Sequence, residues 1–443
     1  MRIELNDDQY DASKLSFAAI ENTLINIDSG SEVYDGMRAP FFLNQQLVDA
    51  IKANASDIHF EPYSDSLCVR FRVDGVMQEV VSLPKEFGHL VTTRLKVISG
   101  LDISEHSIGR SGRFKMSLGQ DSKKGVDFRC SVIPTLYGET LNLRVLYLPE
   151  EKMGLGTLGF EEHQIEPVLY HANRLQGLVL ITGPTGAGKT VTLYTLLKHM
   201  NNRTSSIFTV EDPVEIELRG INQIGVTAEN SVGDITRALL RQDPDVIMLG
   251  EIRDRETCEV AVRAANTGHL VLSTVHSNGA TKSISRLVGL GLERQELASV
   301  LSLVVSQRLL RRLDPRSRVE TTVDRDRLLA LGFVDEELDG LKLYRAAPDA
   351  HSTGYRGRTG VFQVVPVNSE VAGMIAGAAT EDEIERYVEQ RGLHDMRRSA
   401  LEKVKQGITD VDEVERIFGY VDGYDFNGKA LSGAHHQVRE IAA

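Results

Sequence analysis

The chain has 443 residues, of which 41% are apolar and 26% are charged, enough for about three soluble domains with ordinary cores. Fifty basic residues against 63 acidic ones give a formal net charge of −13, which argues against nonspecific nucleic-acid binding because phosphate binding needs a basic surface. Three widely spaced cysteines provide neither a disulfide framework nor a CxxC metal pair: Cys68, Cys130 and Cys258. The acidic amino terminus is unlike a signal peptide, and no run of about 18 apolar residues occurs. We therefore expect a cytoplasmic protein without direct membrane insertion.

The amino-terminal third contains an extension and then a domain. Residues 1–40 are acidic and polar, which is typical of an extension that a partner orders. Helical periodicity begins at Phe41 and is followed by two alternating segments around Asp74 and Gly75, a hairpin signal. A second helical stretch and three more alternating segments complete the pattern. We expect residues 41–148 to form a compact α/β domain.

The remaining chain divides into a linker, a core and a carboxy-terminal region. Residues 149–159 are rich in glycine, which predicts a hinge linker. In residues 160–312, apolar strands alternate with helical stretches, the pattern of a parallel α/β sheet. Residues 313–420 are charged and end in amphipathic helices, so a mostly helical subdomain is expected. Residues 421–443 form a polar tail.

A phosphate-binding motif lies in the predicted core. The segment GPTGAGKT fits G-x-x-x-x-G-K-[ST], follows an apolar strand and precedes a helix, which makes a chance glycine-rich turn a poor alternative. Glycines let backbone N–H groups surround phosphate, and the helix amino terminus adds positive potential. Lys189 is positioned to reach the β- and γ-phosphates, and Thr190 to ligate Mg²⁺. We predict an ATPase with ATP and Mg²⁺ as cofactors, bound by Gly183, Pro184, Thr185, Gly186, Ala187, Gly188, Lys189, Thr190 and Val191.

An acidic residue follows a second apolar strand of the core. Glu251 comes directly after the segment DPDVIMLG, at the expected end of a strand beside the phosphate loop. A carboxylate in that position polarises water or binds Mg²⁺ through water. Glu251 is therefore the candidate general base, and an inconsequential loop carboxylate is the alternative.

Four segments in order identify a family resemblance. ITGPTGAGKTVTLY, TVEDPVEIELRGINQIGV, LLRQDPDVIMLGEIRD and TGHLVLSTVHSN resemble the Walker A, Asp, Walker B and His boxes of the secretion ATPases, which power type II secretion and type IV pilus assembly. ASDIHFEP, LKVISGLDISE and SVIPTLYGETLNLR resemble the family's preceding domain, and TGYRGRTGVFQVV its following domain. The resemblance runs from Phe41 to Gly419. It implies a RecA-like P-loop core, preceded by a smaller PAS-like α/β domain and followed by a mostly helical carboxy-terminal region.

The resemblance also implies roles for the box residues. Glu211, Asp212 and Glu215 of the Asp box would lie near Mg²⁺ and the attacking water, with Asp212 reaching the metal through water. Glu251 is the Walker B glutamate. The His-box pair, His269 and His276, would sense the γ-phosphate; a lone histidine is more often structural, and His276 is the stronger candidate.

In this family the ring is hexameric, and arginines of the amino-terminal domain reach the nucleotide. Arg113 and Arg129 match those arginines, although either is also compatible with an ordinary surface arginine on a strand. Arg144 fits less clearly. Arg253, close after Glu251, is a candidate contact to a neighbouring subunit.

Two departures from the family pattern affect cofactors and partners. Assembly-type members carry two CxxC pairs that bind zinc, whereas here the corresponding positions are Asp314, Ser317, Ala347 and Ala350. Asp314 and His351 are too few to replace four ligands, so we predict no zinc. The usual extra domain before Phe41, which docks on an inner-membrane partner, is also largely missing. A short helix such as KLSFAAIENTLI is a candidate for docking, and its apolar residues are equally compatible with a local packing element. These departures suggest a divergent branch such as the type IVb pilus ATPases.

The expected function is therefore that of a homohexameric motor. ATP hydrolysis would power type IV pilus assembly or type II secretion through an inner-membrane platform protein, with the chain peripheral to the membrane and not bound to nucleic acid. A retraction motor, a nucleic-acid translocase and a scaffold that binds ATP without turnover are the alternatives. The Walker B segment, LRQDPDVIMLGEIRD, resembles that of assembly and secretion ATPases more than that of retraction ATPases, which favours assembly over retraction.

Overall fold

The computed structural model describes residues 32–106, 109–117, 125–146, 153–202, 204–227, 229–347 and 353–421. The extension before residue 32, with its candidate docking helix, and the tail after residue 421 lie outside this part. The chain forms two compact units that divide between Leu148 and Pro149. Each unit is described by itself.

The amino-terminal unit is a six-stranded antiparallel sheet with two helices. Its elements are α1 (Glu32–Lys52), β1 (Ala55–Pro62), β2 (Ser66–Val73), β3 (Val76–Pro84), α2 (Lys85–Ile98), β4 (Arg110–Ser117), β5 (Gly125–Thr135) and β6 (Gly138–Leu146). The strand order is β3-β2-β1-β6-β5-β4. The predicted hairpin is confirmed: Asp74 and Gly75 both have positive φ, 50° and 84°, as a two-residue turn between twisted strands requires.

The core of this unit lies between the helices and one face of the sheet. Leu43 and Leu47 of α1 and Leu95 of α2 are buried together with Phe60 of β1 and Phe128 of β5. Side chains alternate along a strand, so the polar residues of β1 and β5 fall on the opposite face. The α/β class expected for this domain is confirmed, and the PAS-like detail remains a prediction.

The carboxy-terminal unit is built on a seven-stranded sheet. Its strands are β7 (Gly177–Thr182), β8 (Ile207–Glu211), β9 (Asn222–Gly225), β10 (Val246–Leu249), β11 (Leu270–Val275), β12 (Leu301–Leu313) and β15 (Tyr355–Pro366), while β13 (Val319–Thr321) and β14 (Leu343–Arg345) form a separate pair. The order is β15-β12-β7-β11-β10-β8-β9, and all neighbours are parallel except β12 and β15. The RecA-like parallel sheet is thus confirmed.

Helices cover the sheet and form the carboxy-terminal region. They are α3 (Leu155–Leu158), α4 (Glu162–Ala172), α5 (Lys189–Met200), α6 (Val232–Leu239), α7 (Arg255–Asn266), α8 (Ala280–Gly289), α9 (Arg294–Val300), α10 (Arg325–Leu331), α11 (Ser369–Ala376), α12 (Glu381–Gln390), α13 (Met396–Lys405) and α14 (Val411–Phe418). Strands β7, β10 and β11 are buried along their whole length, because a parallel sheet is covered on both faces. No helix in the described ranges has the length and apolar character needed to cross a bilayer.

The expected boundary after residue 312 does not separate two bodies. Strand β12 continues to Leu313, and β15 returns antiparallel to it over its whole length. Val371 of α11 and Ile384 of α12 belong to the same buried cluster as Val304 of the core. The carboxy-terminal region therefore shares its sheet and part of its hydrophobic core with the ATPase-like domain.

The described part of the expected hinge, residues 153–159, packs on the core. It forms the short helix α3, and Lys403 of α13 donates to the carbonyl oxygen of Gly159 at 2.8 Å. A Cβ atom at Gly159, which has a φ of 107°, would lie 2.4 Å from Oγ1 of Thr359. The glycine thus permits close packing here, which differs from the open linker expected from composition.

Candidate functional site

The phosphate loop joins β7 to α5 and depends on glycine at three positions. Gly183, Gly186 and Gly188 have φ values of 154°, 78° and 86°, a region that side chains disfavour. A Cβ atom at Gly183 would also lie 2.4 Å from the backbone oxygen of Gln307 on β12. The loop is therefore shaped both by its own glycines and by the strand beside it.

Lys189 is the first residue of α5 and is buried at the mouth of this loop. Its ammonium donates to the carbonyl oxygens of Gly183 at 2.8 Å and Pro184 at 3.1 Å. Burial lowers its pKa, and the charge of Glu251 acts in the opposite direction. Thr190, the next residue, is exposed on the first turn of the helix. A cation and a hydroxyl thus lie side by side where the motif predicts phosphate and Mg²⁺.

His276 and Glu251 meet beside Lys189. Nδ1 of His276 lies 3.3 Å from Nζ of Lys189, and its Nε2 lies 2.9 Å from Oε1 of Glu251. The other carboxylate oxygen of Glu251 accepts from Nε of Arg253 at 2.8 Å. A neutral imidazole protonated on Nε2 satisfies both contacts, since it accepts from the ammonium and donates to the carboxylate.

Backbone contacts hold the two strand ends in this register. The amide of Ile252 donates to the carbonyl oxygen of Thr274 at 2.9 Å, and the Thr274 hydroxyl donates to that of Gly250 at 2.8 Å. Strands β10 and β11 are parallel neighbours, so their carboxyl ends open at the same sheet edge. This is why Glu251 and His276, 25 positions apart in sequence, face one another.

The Asp box divides into a buried and an exposed part. Glu211 is buried and accepts hydrogen bonds from the hydroxyl groups of Tyr194 and Thr209 and from the side-chain amide of Gln223. These contacts attach the box to α5 and to the neighbouring strand β9. Asp212, by contrast, is exposed, and its carboxylate lies 3.9 Å from Nη1 of Arg253, the partner of Glu251.

These positions bear on the expected roles of the Asp box. Glu211 is buried and its carboxylate is hydrogen-bonded to protein groups, whereas a residue next to Mg²⁺ and water was expected to be accessible to them. Its neighbour Glu215 donates its backbone N–H to the Tyr194 hydroxyl at 3.3 Å. Asp212 is the box residue that the structure links to the Glu251 side of the site.

The structure does not bring His269 to the phosphate loop of its own chain. His269 precedes β11, whereas His276 follows it, and Leu270 pairs with Gly177 at the start of β7. Six strand residues separate the two histidines by about 20 Å. His269 instead bonds locally, with Nδ1 2.8 Å from the carbonyl oxygen of Ala264. Within one chain its environment is that of a structural histidine.

Arg113 and Arg129 lie in the amino-terminal unit as direct cross-strand neighbours. Arg113 of β4 is opposite Arg129 of β5, which is in turn opposite Arg144 of β6. Asp57 of β1 is the next position of this row, and its carboxylate lies 3.3 Å from Nε of Arg144. The structure therefore gathers three arginines on the polar face of one sheet, with Arg144 as firmly in the row as the two expected residues.

Asp314, which corresponds to a zinc-binding cysteine of the assembly-type members, forms an ion pair with Arg316. Asp314 accepts two hydrogen bonds from the guanidinium of Arg316, at 3.1 and 2.7 Å, which lower its pKa to about 2. Its backbone N–H donates to the carbonyl oxygen of Gly354 at 3.0 Å. Ala350 and His351 lie outside the described residues. Across the described ranges, histidine, cysteine and acidic side chains form no group of three or more suited to a metal ion.

Sequence reasoning missed two side chains that shape the site. Tyr194 supports Glu211, and Gln307 of β12 contacts the phosphate loop. Both are buried, at 1% exposure. The signal that could have identified them is a polar residue within an otherwise apolar segment, because a buried polar group requires a hydrogen-bond partner.

A parallel sheet with a phosphate loop, a strand-end glutamate and a histidine at one edge defines a P-loop protein of the RecA-like class. Residues 35–416 match the family model described as type II/IV secretion system protein. The type IV pilus assembly ATPase PilB of Pseudomonas aeruginosa is 43% identical over 379 residues, 85% of this chain and 67% of that protein. The type II secretion system protein E of the same organism is 40% identical over 408 residues, 91% of this chain and 80% of that protein.

Solved structures agree with this assignment. The pilus retraction motor PilT with bound ADP aligns at a TM-score of 0.57 and 26% identity, over 84% of this chain and 95% of that one. The Legionella pneumophila ATPase DotB, at 20% identity and a TM-score of 0.64 over 85% of this chain and 95% of that one, shares the fold. This chain belongs to the type II/IV secretion system protein family. It spans about two thirds of the length of the pilus assembly ATPases that it matches.

Proposed function

We propose that the chain is an ATP-hydrolysing motor of a type IV pilus assembly or type II secretion system. The observation that carries the proposal is the contact of Lys189, His276 and Glu251 at the end of the phosphate loop. Family membership and the names of the relatives in both systems support the same reading.

The residues present fit ATP and its metal ion. Backbone N–H groups of the glycine-rich loop and Lys189 would bind the phosphates, whose negative charge replaces the loop carbonyls as partner of the ammonium. Mg²⁺, when bound, neutralises phosphate charge, and the exposed Thr190 hydroxyl with the carboxylate of Asp212 through water would hold it. Glu251 orients the attacking water, and His276 holds its carboxylate.

The three arginines of the amino-terminal sheet suit a site completed by a neighbouring copy. Arg113, Arg129 and Arg144 are directly opposed like charges, an arrangement that destabilises a sheet, and the carboxylate of Asp57 lies at the end of the row beside Arg144. A nucleotide phosphate of another subunit would bring further negative charge to these guanidinium groups. We infer that the active form is a ring, with six subunits as the family resemblance implies, in which each site is shared between two chains.

Assembly is favoured over retraction, and protein substrates over nucleic acid. The pilus assembly relatives are 43% and 41% identical to this chain, whereas the retraction motor is 26% identical. The net charge of −13 opposes a nucleic-acid translocase. We propose that the motor acts from the cytoplasmic side of the inner membrane on a platform protein, and that it belongs to a divergent branch such as the type IVb pilus ATPases.

The test is steady-state ATP hydrolysis by size-fractionated protein. Wild type is expected to turn over ATP in a fraction with the mass of about six chains, because the shared site needs a neighbour. Lys189→Ala and Glu251→Gln should each abolish most turnover, and only Lys189→Ala should also abolish ATP binding. Glu296→Gln, an exposed carboxylate on α9, serves as control. Equal activity in a monomer fraction would contradict the ring, and a Glu251→Gln variant with full activity would contradict the assigned base.

A further inference from the structure

Gln307 contacts the phosphate loop at two points, and the helix after it at a third, from the neighbouring strand. It follows the last residue of β12 that pairs with β7, Ser306 opposite Thr182. Its Nε2 donates to the carbonyl oxygen of Ala187 at 2.6 Å, and its Oε1 accepts from the Thr192 hydroxyl at 2.8 Å. Its backbone oxygen occupies the space that a side chain at Gly183 would need.

The bond to Ala187 sets the direction of a peptide group in the loop. In a trans peptide the C=O and the following N–H point in opposite directions. Because the Ala187 carbonyl points at Gln307, the N–H of Gly188 points away from β12. That N–H is one of the donors that a phosphate loop needs on its inner side. A loop peptide turned the other way would present a carbonyl oxygen to phosphate.

Only a side-chain amide makes both contacts. Ala187 requires a donor, and the Thr192 hydroxyl requires an acceptor, while both groups are closed to solvent around Gln307. A carboxylate of the same shape would face the carbonyl with a second acceptor, and an apolar side chain would leave buried polar groups without partners. Thr192 lies near the start of α5, so the side-chain amide of Gln307 connects the phosphate loop with the helix that follows it.

The next residues of the same strand contact the carboxy-terminal helix α14. The guanidinium of Arg308 donates to the carbonyl oxygen of Ile417 at 3.1 Å, and that of Arg311 donates to Glu413 of α14 at 2.9 Å. Along β12, Gln307 contacts the phosphate loop, and the residues after it, Arg308 and Arg311, contact α14.

We propose that Gln307 is a positioning residue that holds the phosphate loop in its phosphate-accepting conformation. This inference rests on the proposed function, because it assigns a role within the same ATP site. Gln307 acts through the Ala187–Gly188 peptide and through Thr192, and does not itself touch the nucleotide. A role limited to fold stability would instead affect unfolding and leave nucleotide affinity unchanged.

The experiment compares two buried glutamines on neighbouring strands of the full chain. Gln363 of β15 lies opposite Ser306, is buried like Gln307, and donates to Glu385 at 2.6 Å, away from the phosphate loop. Gln307→Met and Gln363→Met each remove an amide at similar volume. The measurements are the melting temperature without nucleotide, the Kd for MgATP, and kcat and KM for hydrolysis.

Both substitutions are expected to lower the melting temperature, and only Gln307→Met should raise the Kd and KM for MgATP, by about tenfold or more. Gln307→Glu should raise them further, because it places acceptor against acceptor. Thr192→Val, which removes one contact and keeps the other, should give an intermediate Kd and remains informative if the Gln307 variants fail to fold. Unchanged Kd in folded Gln307→Met, or in Thr192→Val where only that variant folds, would overturn the proposal. Wild type that fails to bind MgATP would contradict the proposed function itself.

Discussion

The imidazole of His276 connects Lys189 with Glu251, since its two nitrogens lie 3.3 Å from the ammonium and 2.9 Å from the carboxylate. The three residues come from α5, from the loop after β10 and from the loop after β11. One side chain therefore contacts both the cation expected to bind phosphate and the candidate base. Removing it should distinguish an effect on ATP binding from an effect on hydrolysis.

Replacing His276 by alanine is expected to lower kcat on the order of 10²-fold and to leave the Kd for MgATP within a few-fold. Lys189 and the loop amides remain to bind phosphate, whereas Glu251 loses the donor at Oε1 and keeps the one from Arg253 at Oε2. Stopped-flow binding and steady-state turnover measure the two quantities. His199→Ala, an exposed histidine at the end of α5, is the matched control. A kcat within twofold of wild type would remove His276 from the mechanism.

Tyr194→Phe is expected to lower the free energy of unfolding by about 1–2 kcal/mol. The buried carboxylate of Glu211 loses its hydroxyl donor on α5, and the remaining donors, Thr209 and Gln223, cannot replace it. Urea denaturation followed by circular dichroism measures the change. Tyr170→Phe removes a hydroxyl from a residue that is 67% exposed and should have no effect. Equal stability of both variants would show that the bond contributes nothing.

Acid is expected to destabilise the carboxy-terminal unit through His171. Burial lowers the pKa of this histidine from 6.5 to about 4, and Arg174 acts in the same direction. Its Nδ1 has no hydrogen-bond partner within the described residues. Between these two pKa values the unfolded chain binds more protons, so stability is full above pH 6.5 and falls as the pH drops toward 4.

The variant His171→Phe should lose less stability than wild type over this pH range, because it has no group to protonate on unfolding. Thermal unfolding at a series of pH values measures the difference, with the exposed His163→Gln as control. Parallel curves for wild type and His171→Phe would contradict the assignment.

Chelation is expected to leave the protein folded. Asp314 pairs with Arg316 and bonds through its backbone to Gly354, so the carboxy-terminal region has contacts of its own at this position. Incubation with EDTA should change the melting temperature by less than about 1 °C, whereas loss of a structural zinc would remove many kcal/mol. Elemental analysis gives the independent measurement. One zinc per chain, with strong destabilisation on chelation, would contradict the prediction.

Local signals in the sequence predicted the parts of the site that depend on short segments. The glycines of the phosphate loop, Lys189 and the strand-end Glu251 occupy the expected places because a strand–loop–helix unit fixes its own geometry. His276, the stronger candidate of its box, lies 3.3 Å from Lys189 because parallel strands open at one edge, and its role toward the γ-phosphate stays a prediction.

What escaped prediction depends on contacts between distant segments. Gln307 reaches the loop across 120 positions, and β15 joins the core sheet by pairing with β12. Neither contact has a periodicity or a motif. The environment of Glu211 was missed for the same reason: a carboxylate in a box suggests an open site, but Tyr194 and Gln223 enclose it.

The most direct test of a shared ATP site mixes two inactive variants. Glu251→Gln lacks the candidate base, and Arg113→Ala lacks the arginine that we propose reaches a neighbouring subunit, so each alone should be inactive. After subunit exchange at equal amounts, about a quarter of the sites join an intact base with an intact arginine, and about a quarter of wild-type turnover should return. Glu251→Gln mixed with Lys189→Ala is the control and should recover no turnover, because Lys189 and Glu251 of one site belong to the same chain. A mixture of Glu251→Gln and Arg113→Ala that stays as inactive as its parents, while shown to exchange subunits, would contradict the shared site.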